Sequence, residues 1–70
     1  MKKYRSVTSA YRDGYRINKI RDKGEYSVFR IEKKLDDTHS NCLVLRETNK
    51  KLEKFFGQAK LELIRIEFGN

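Results

Sequence analysis

The fold of this 70-residue chain is decided by residues 15–34, YRINKIRDKGEYSVFRIEKK. β-Branched and aromatic residues are interleaved with charged ones over Tyr15 to Arg21 and again over Glu25 to Lys33, which is typical of two strands. The connector Asp22-Lys23-Gly24 supplies a glycine for the left-handed backbone position of a three-residue hairpin loop with a bulge. The segment therefore predicts an antiparallel β-hairpin.

The apolar residues of the predicted strands change phase at three places. These changes lie between Ile17 and Ile20, between Val28 and Phe29, and between Leu63 and Ile64. Each change predicts either a β-bulge or a strand that is covered on both faces. Because only one helix is predicted, bulged and strongly curved strands are the expected form.

That helix is predicted for residues 48–57. Leu52, Phe55 and Phe56 are spaced i, i+3 and i+4, so they share one helical face. A threonine or an asparagine at its start can cap it, and Gly57 can end it.

The remaining segments are predicted to be two strands, a loop and an extended N-terminal region. Residues 3–11 are expected to be extended, with a short helix as the alternative, and residues 35–41 form a polar loop. Residues 42–46 are predicted as a short strand. Alternating apolar residues predict a last strand over residues 60–68.

The expected fold is therefore α+β, with a small curved antiparallel sheet of four to five strands. One helix, residues 48–57, precedes the last strand. This element order resembles that of five-stranded SH3-like barrels, which is a likeness of fold and implies no function. Residues 1–70 are expected to form a single small domain, whose thin core has a net stability of about 3–5 kcal/mol.

The charge of the chain is strongly uneven. The net charge of +7 comes from 17 Lys and Arg against 10 Asp and Glu. Residues 1–34 carry 11 basic and four acidic side chains, whereas residues 35–70 carry six of each. Such an asymmetry between halves indicates a polyanionic partner for the first half.

Arginine follows an aromatic residue at four places. The pairs are Tyr4-Arg5, Tyr11-Arg12, Tyr15-Arg16 and Phe29-Arg30. Arginine binds phosphate or guanine in a bidentate manner, and an aromatic ring offers a face on which a base can stack. The alternative is that the rings pack into the core while their arginines point outward, since neighbouring strand residues face opposite sides.

These features predict a small basic intracellular module that binds DNA or RNA, mainly by backbone contacts from the N-terminal hairpin. The candidate binding residues are Arg5, Arg12, Tyr15, Arg16, Lys19, Arg21, Lys23 and Arg30. The alternative is a protein-interaction module that binds an acidic surface of a larger intracellular or host protein machine and regulates or inhibits it. Small proteins encoded by phages and plasmids often act in this way. An exposed edge strand, such as residues 60–68, could add to the sheet of a partner protein, or pair with a second copy to give a homodimer.

Other activities are not expected. The single cysteine, Cys42, allows no internal disulfide and indicates a reducing cytoplasmic location; we expect it to face the core of its strand. One cysteine and one histidine, His39 in a solvated loop, fall short of a zinc site. We therefore expect no metal, no cofactor and no enzymatic activity. The longest apolar run, residues 42–45, is too short to span a membrane.

Overall fold

The computed structural model describes residues 4–69, which form an antiparallel sheet with helices on one of its faces. The elements in chain order are α1 (Val7–Arg12), β1 (Arg16–Asp22), β2 (Tyr26–Lys34), β3 (Ser40–Thr48), α2 (Asn49–Phe56) and α3 (Gln58–Phe68). The α+β class and the antiparallel sheet are confirmed. The described sheet has three strands in the order β1-β2-β3 and is open, so the four to five strands and the barrel-like closure expected from the sequence are not found.

The predicted hairpin is confirmed as β1 and β2. Its turn begins after Asp22, and Gly24 adopts a φ of +102°, a conformation that residues with a Cβ rarely adopt. The Gly24 N–H donates to Asp22 Oδ1 at 2.8 Å, and the Lys23 N–H donates to the carbonyl oxygen of Tyr26 at 2.8 Å. The turn is therefore held by both backbone and side-chain hydrogen bonds.

A register shift in β1 matches the first of the three predicted phase changes. Ile17 pairs with Ile31 and Lys19 pairs with Arg30, so Asn18 is an extra residue without a partner in β2. Because of this bulge, Ile17 and Ile20 both face the core although they are three positions apart. The second predicted change produces no bulge, because β2 pairs with β3 without interruption and Val28 lies on the opposite face from Phe29.

The core lies between one face of the sheet and the helices. Phe29 and Ile31 occupy the centre of that face, with Ile17 and Ile20 beside them on β1. The helices contribute their own buried residues, namely Val7, Ala10, Leu52, Leu61 and Ile64. The opposite face of the sheet is therefore left without a covering helix among residues 4–69.

The predicted helix over residues 48–57 is confirmed as α2. The Thr48 hydroxyl accepts a hydrogen bond from the Lys51 N–H at 3.4 Å, and Gly57 ends the helix with a φ of +86°. Leu52 is fully buried, while Phe55 and Phe56 are half-buried and stack edge-on against Tyr11.

The last strand predicted over residues 60–68 is wrong, because this segment is the helix α3. Leu61, Ile64 and Phe68 lie along one helical face and pack against the core, whereas Leu63 and Ile66 point to solvent. The apolar residues of this segment therefore fit both a strand, by their alternation, and a helix, by the spacing of Leu61, Ile64 and Phe68. A helix satisfies its own backbone hydrogen bonds, so the segment needs no partner strand.

The extended conformation expected for residues 3–11 is also wrong where the segment is described, because α1 forms there; residue 3 lies outside the described residues. Ser6 caps the helix by accepting a hydrogen bond from the Ser9 N–H at 3.2 Å. Val7 and Ala10 are fully buried on one helical face. Capping and burial together outweigh the weak helix propensity of the serine and threonine residues.

The side chain of Asn49 links the hairpin turn to the start of α2 by hydrogen bonds. Its Nδ2 donates to the carbonyl oxygen of Gly24 at 2.8 Å and to Asp22 Oδ1 at 3.1 Å, and its Oδ1 accepts from the Ser27 hydroxyl at 2.6 Å. The pKa of Asp22 is lowered, first by the Gly24 N–H, then by the Asn49 amide and, to a smaller extent, by the charge of Arg65. Each of these contacts favours the ionised carboxylate.

We expect Phe29→Ala to unfold the protein or nearly so. Removing a fully buried phenylalanine costs about 3–5 kcal/mol, which equals the whole stability expected of a core of this size. Urea denaturation followed by circular dichroism measures the loss. Leu63→Ala is the control, because Leu63 is 64% exposed on α3 and its truncation should change stability by about 1 kcal/mol at most. Equal losses in both variants would contradict the position assigned to the core.

We also expect Asp22 to make stability depend on pH. Because its pKa is lower in the folded than in the unfolded chain, its contribution is present above the unfolded value of about 3.9 and is lost as the pH falls through the folded value. Asp22→Asn should therefore lose less stability than the wild type between about pH 5 and pH 2. Urea midpoints across that range measure the difference.

Asp37→Asn is the matched control for this titration. It makes the same chemical change in the loop between β2 and β3, where the Asp37 side chain has no hydrogen bond to a described residue. A pH profile for Asp22→Asn that coincides with that of Asp37→Asn would show that the turn contacts do not act in this way.

Candidate nucleic-acid interface

The face of the sheet that carries no helix, called here the outer face, is formed by alternate residues of the three strands. Cross-strand pairing places Arg16 opposite Glu32, Lys19 opposite Arg30, and Arg30 opposite Val44. Six cations lie on this face: Arg16, Lys19, Arg21, Arg30, Lys34 and Arg46. Glu32 is the one carboxylate among the described residues of the face.

The bulge at Asn18 determines that the β1 cations share one face. An uninterrupted strand would put residues 16 and 19 on opposite sides, because side chains alternate with a period of two. The extra residue restores the phase, so that Arg16, Lys19 and Arg21 all project from the outer face while the isoleucines face the core. The bulge at Asn18 thus places the isoleucines of β1 in the core and its cations on the outer face.

The cations of the outer face are not neutralised within the described part of the chain. Ion pairs within 4.0 Å join only Asp36 to His39 and Asp22 to Arg65 among residues 4–69, and none of these four groups is an outer-face cation. The carboxylate of Glu32 instead accepts from Asn18 Nδ2 at 3.2 Å and from the Cys42 thiol at 3.9 Å. The outer face therefore carries a strong net positive charge, because one carboxylate, Glu32, stands against six cations.

The middle of the outer face is apolar and shallow. Val28 and Val44 lie at its centre, and a depression beside them is lined by Lys19, Arg21 and Arg30. The aromatic ring of Tyr26 is covered by the Arg46 guanidinium, whose Cζ lies 5.7 Å from the ring centroid. This face combines flexible cations with a small apolar centre and offers no uncovered ring for stacking among its described residues.

The structure brings together four of the eight residues predicted as binding residues, namely Arg16, Lys19, Arg21 and Arg30. Lys23 is exposed in the turn at the end of the same hairpin. The other basic candidates lie elsewhere: Arg5 is exposed just before α1, and Arg12 belongs to α1, with its Cζ 5.0 Å from the ring centroid of Phe55.

Tyr15 lies in the core and is not part of the outer face. It is 4% exposed, it stacks edge-on with Tyr4, and its hydroxyl accepts from Asn41 Nδ2 at 3.3 Å. No face of this ring is open to a base. The pairs Tyr15-Arg16 and Phe29-Arg30 therefore follow the alternative expectation, in which the ring is buried and the arginine points outward.

Two cations of the outer face, Lys34 and Arg46, were missed among the predicted binding residues. Lys34 ends β2, and Arg46 lies on β3 in the half of the chain whose charges cancel overall. The phase of β3 could have identified Arg46, because it alternates with Leu43 and Leu45, which contact the core. The alternation of residues along a strand therefore identifies the cations of this face better than the net charge of each half of the chain.

The remaining candidate groups form no reactive cluster. Cys42 is exposed on the outer face, so its expected position in the core of its strand is wrong; His39 lies in an exposed loop as predicted. Residues 4–69 contain no cluster of three or more His, Cys, Asp or Glu side chains that could hold a metal ion. None of the described helices is long and apolar enough to cross a membrane.

Comparison with known proteins finds no matching family model, no matching curated protein and no matching solved structure. A function for this chain is therefore inferred from the outer face itself.

We expect Lys19→Glu to stabilise the protein. Lys19 lies directly opposite Arg30, and replacing a like-charge cross-strand pair by an opposite-charge pair is worth about 0.2–1 kcal/mol. Urea denaturation at low salt measures the gain. Lys34→Glu is the control, because it makes the same charge change opposite the uncharged Ser40. An equal change in both variants would mean that the gain reflects net charge and not the cross-strand pair.

Proposed function

We propose that the protein binds nucleic acid through the outer face of its sheet. The observation that carries this proposal is the convergence of six cations on an uncovered face, without a described carboxylate within ion-pair distance of any of them. Such a face attracts a polyanion, and binding is driven largely by release of the counterions condensed on the phosphates.

The kinds of cation on the outer face suit both phosphates and base edges. Four of the six are arginines, whose planar guanidinium groups donate two parallel hydrogen bonds to a phosphate or to O6 and N7 of guanine. Lys19 and Lys34 are flexible point charges suited to phosphates. The partner is therefore a nucleic acid held mainly by its backbone, with arginines available to contact bases.

The shape of the face favours duplex DNA over the other nucleic acids. Three strands spaced about 4.8 Å apart are about 10 Å across, close to the roughly 12 Å width of the DNA major groove. β-Sheets and ribbons do enter DNA grooves, whereas the major groove of A-form RNA is too narrow for side chains to read. Single strands bind mainly by stacking on aromatic rings, and Tyr26 is covered by Arg46.

We expect the triple variant Arg16→Ala/Arg21→Ala/Arg30→Ala to bind duplex DNA more weakly and with a smaller salt dependence. For every phosphate that is no longer neutralised, the slope of log K against log salt should flatten by about 0.9. Fluorescence anisotropy with a labelled duplex of about two helical turns, titrated at several salt concentrations, measures both quantities. A duplex RNA and a single-stranded DNA of equal length test the preference for duplex DNA.

A triple variant of the helical layer is the matched control for this experiment. Lys50→Ala/Lys54→Ala/Lys60→Ala removes the same charge from α2 and α3, away from the outer face. Near-wild-type affinity in this control would locate binding on the outer face. Equal weakening in both variants would indicate attraction by net charge alone, and no binding to any nucleic acid at low salt would refute the proposal.

The apolar centre of the outer face favours a second candidate function. Val44 is 66% exposed, and phosphates make no use of a valine side chain. An acidic protein surface with an apolar centre would contact both Val44 and the surrounding arginines. For such a partner, Val44→Ser should weaken binding, whereas a complex held by DNA phosphates should tolerate this change.

A further inference from the structure

The two edges of the sheet differ in how they are protected against pairing with another chain. The β1 edge carries the bulge at Asn18 and three cations, and Arg65 of α3 lies beside its end at Asp22. Bulges and charged side chains are the usual means by which proteins keep an edge strand from pairing. The β1 edge is therefore closed to a further strand.

The β3 edge has no bulge among the described residues, and its two charged residues, Arg46 and Glu47, lie near its C-terminal end. β3 is nine residues long, and its register with β2 runs unbroken from Thr48 to Ser40. Residues 40–45, Ser-Asn-Cys-Leu-Val-Leu, carry no charge, and β2 is the one described strand that pairs with β3. A long, regular edge whose first six residues are uncharged presents free backbone N–H and C=O groups to a partner strand.

We propose that β3 pairs antiparallel with β3 of a second copy of this chain, about a two-fold axis at Val44. Residues that face each other must lie on the same side of the joined sheet, so symmetric pairing can centre on Leu43, Val44 or Leu45. Centring on Leu45 would set Glu47 against Leu43, and centring on Leu43 would set Asn41 against Leu45. Centring on Val44 avoids both mismatches.

The pairing centred on Val44 is self-complementary on both faces. On the core side, Leu43 lies opposite Leu45 of the second copy, and both leucines are only half-buried in the single chain. On the same side, Asn41 lies opposite Glu47, so a polar residue faces a polar residue. No two like charges face each other in this register.

This pairing gives a closed dimer and leaves no β3 edge free for a third copy. The two protected β1 edges lie at the outside of the joined sheet, so assembly stops at two copies. The result is a six-stranded sheet about 24 Å across, whose two outer faces become continuous and carry twice the cations. This surface is wider than the DNA major groove, so the dimer would contact phosphates on both sides of a groove, and entry of the face into the groove applies to the single chain. The inference does not rest on nucleic-acid binding, because it uses only the backbone edge and the residues of β3.

A cysteine placed at the two-fold axis tests the register. In the double variant Cys42→Ser/Val44→Cys, the two introduced thiols face each other across adjacent strands, within reach of a disulfide. We expect this variant to form a covalent dimer on mild oxidation, seen by non-reducing electrophoresis. The wild type should not, because Cys42 lies opposite Arg46 of the second copy and not opposite itself.

The control places the cysteine one strand further from the axis on the same face. Arg30 pairs with Val44, so in Cys42→Ser/Arg30→Cys the two thiols are separated by the width of both β3 strands. Their Cα atoms then lie well beyond the limit of about 7 Å for a disulfide. Equal cross-linking of the two variants would indicate random collision and would overturn the proposed register.

Sedimentation equilibrium of the wild type tests the assembly itself. We expect a mass of twice 8.4 kDa, and we expect Val44→Lys, which sets two lysines against each other, to give the monomer. A wild type that is monomeric at millimolar concentration would overturn the proposal. So would a dimer that survives Val44→Lys but dissociates with Ile66→Lys, because the contact would then lie on the exposed apolar side of α3.

Discussion

The fold requires the apolar residues of the sheet to lie on one face and the cations on the other. One extra residue in β1 keeps these two sets apart. Asn18 shifts the phase of the strand, so Ile17 and Ile20 both enter the core although they are three positions apart. Without this shift, one isoleucine would face water and one cation would face Phe29. Burying an unpaired charge costs far more than a local irregularity in the ladder. The bulge is thus the condition both for the core and for the cationic outer face.

The separation of faces has an energetic consequence for a chain this small. Lys19 lies opposite Arg30, and Arg16 and Arg21 belong to the same face, where Glu32 is the one described carboxylate and forms no ion pair within 4.0 Å with a described residue. Cross-strand repulsion lowers the stability of a domain whose core is thin. Stability therefore does not explain why like charges gather on the outer face. A concentration of positive charge on one face is typical of a surface that binds a partner of opposite charge.

The parts of the fold that were predictable from sequence are those with a local signature. Gly24 at a left-handed position and the strand propensity around it define the hairpin, and the cap at Thr48 and the glycine at Gly57 define α2. The prediction failed for α3 because Ile64, Ile66 and Phe68 alternate as in a strand, although Leu61 and Ile64 are the residues that reach the core. It failed for α1 because burial of Val7 and Ala10 against the sheet is a tertiary effect.

The same distinction explains the candidate site. Arg16, Lys19, Arg21 and Arg30 could be grouped from sequence because they belong to one hairpin, and the phase change at Asn18 was visible. The phase of β3 places Arg46 on the side opposite Leu43 and Leu45. That this side joins the hairpin cations depends on the pairing of β3 with β2, which is not encoded in local pattern. Tyr15 was assigned to the wrong environment because a ring beside an arginine suits both a core and a binding face, and only packing against Tyr4 distinguishes them.

The position of α3 helps to determine which edge of the sheet stays open. Without α3 the isoleucines of β1 would lose their cover, and only the bulge and the cations would protect the β1 edge. With α3 packed beside β1 and Arg65 near Asp22, the β1 edge is protected by charge, a bulge and a helix, while the β3 edge is regular and uncharged from Ser40 to Leu45. An asymmetry of this kind directs pairing to one side, and pairing on one side produces a closed pair instead of a fibre.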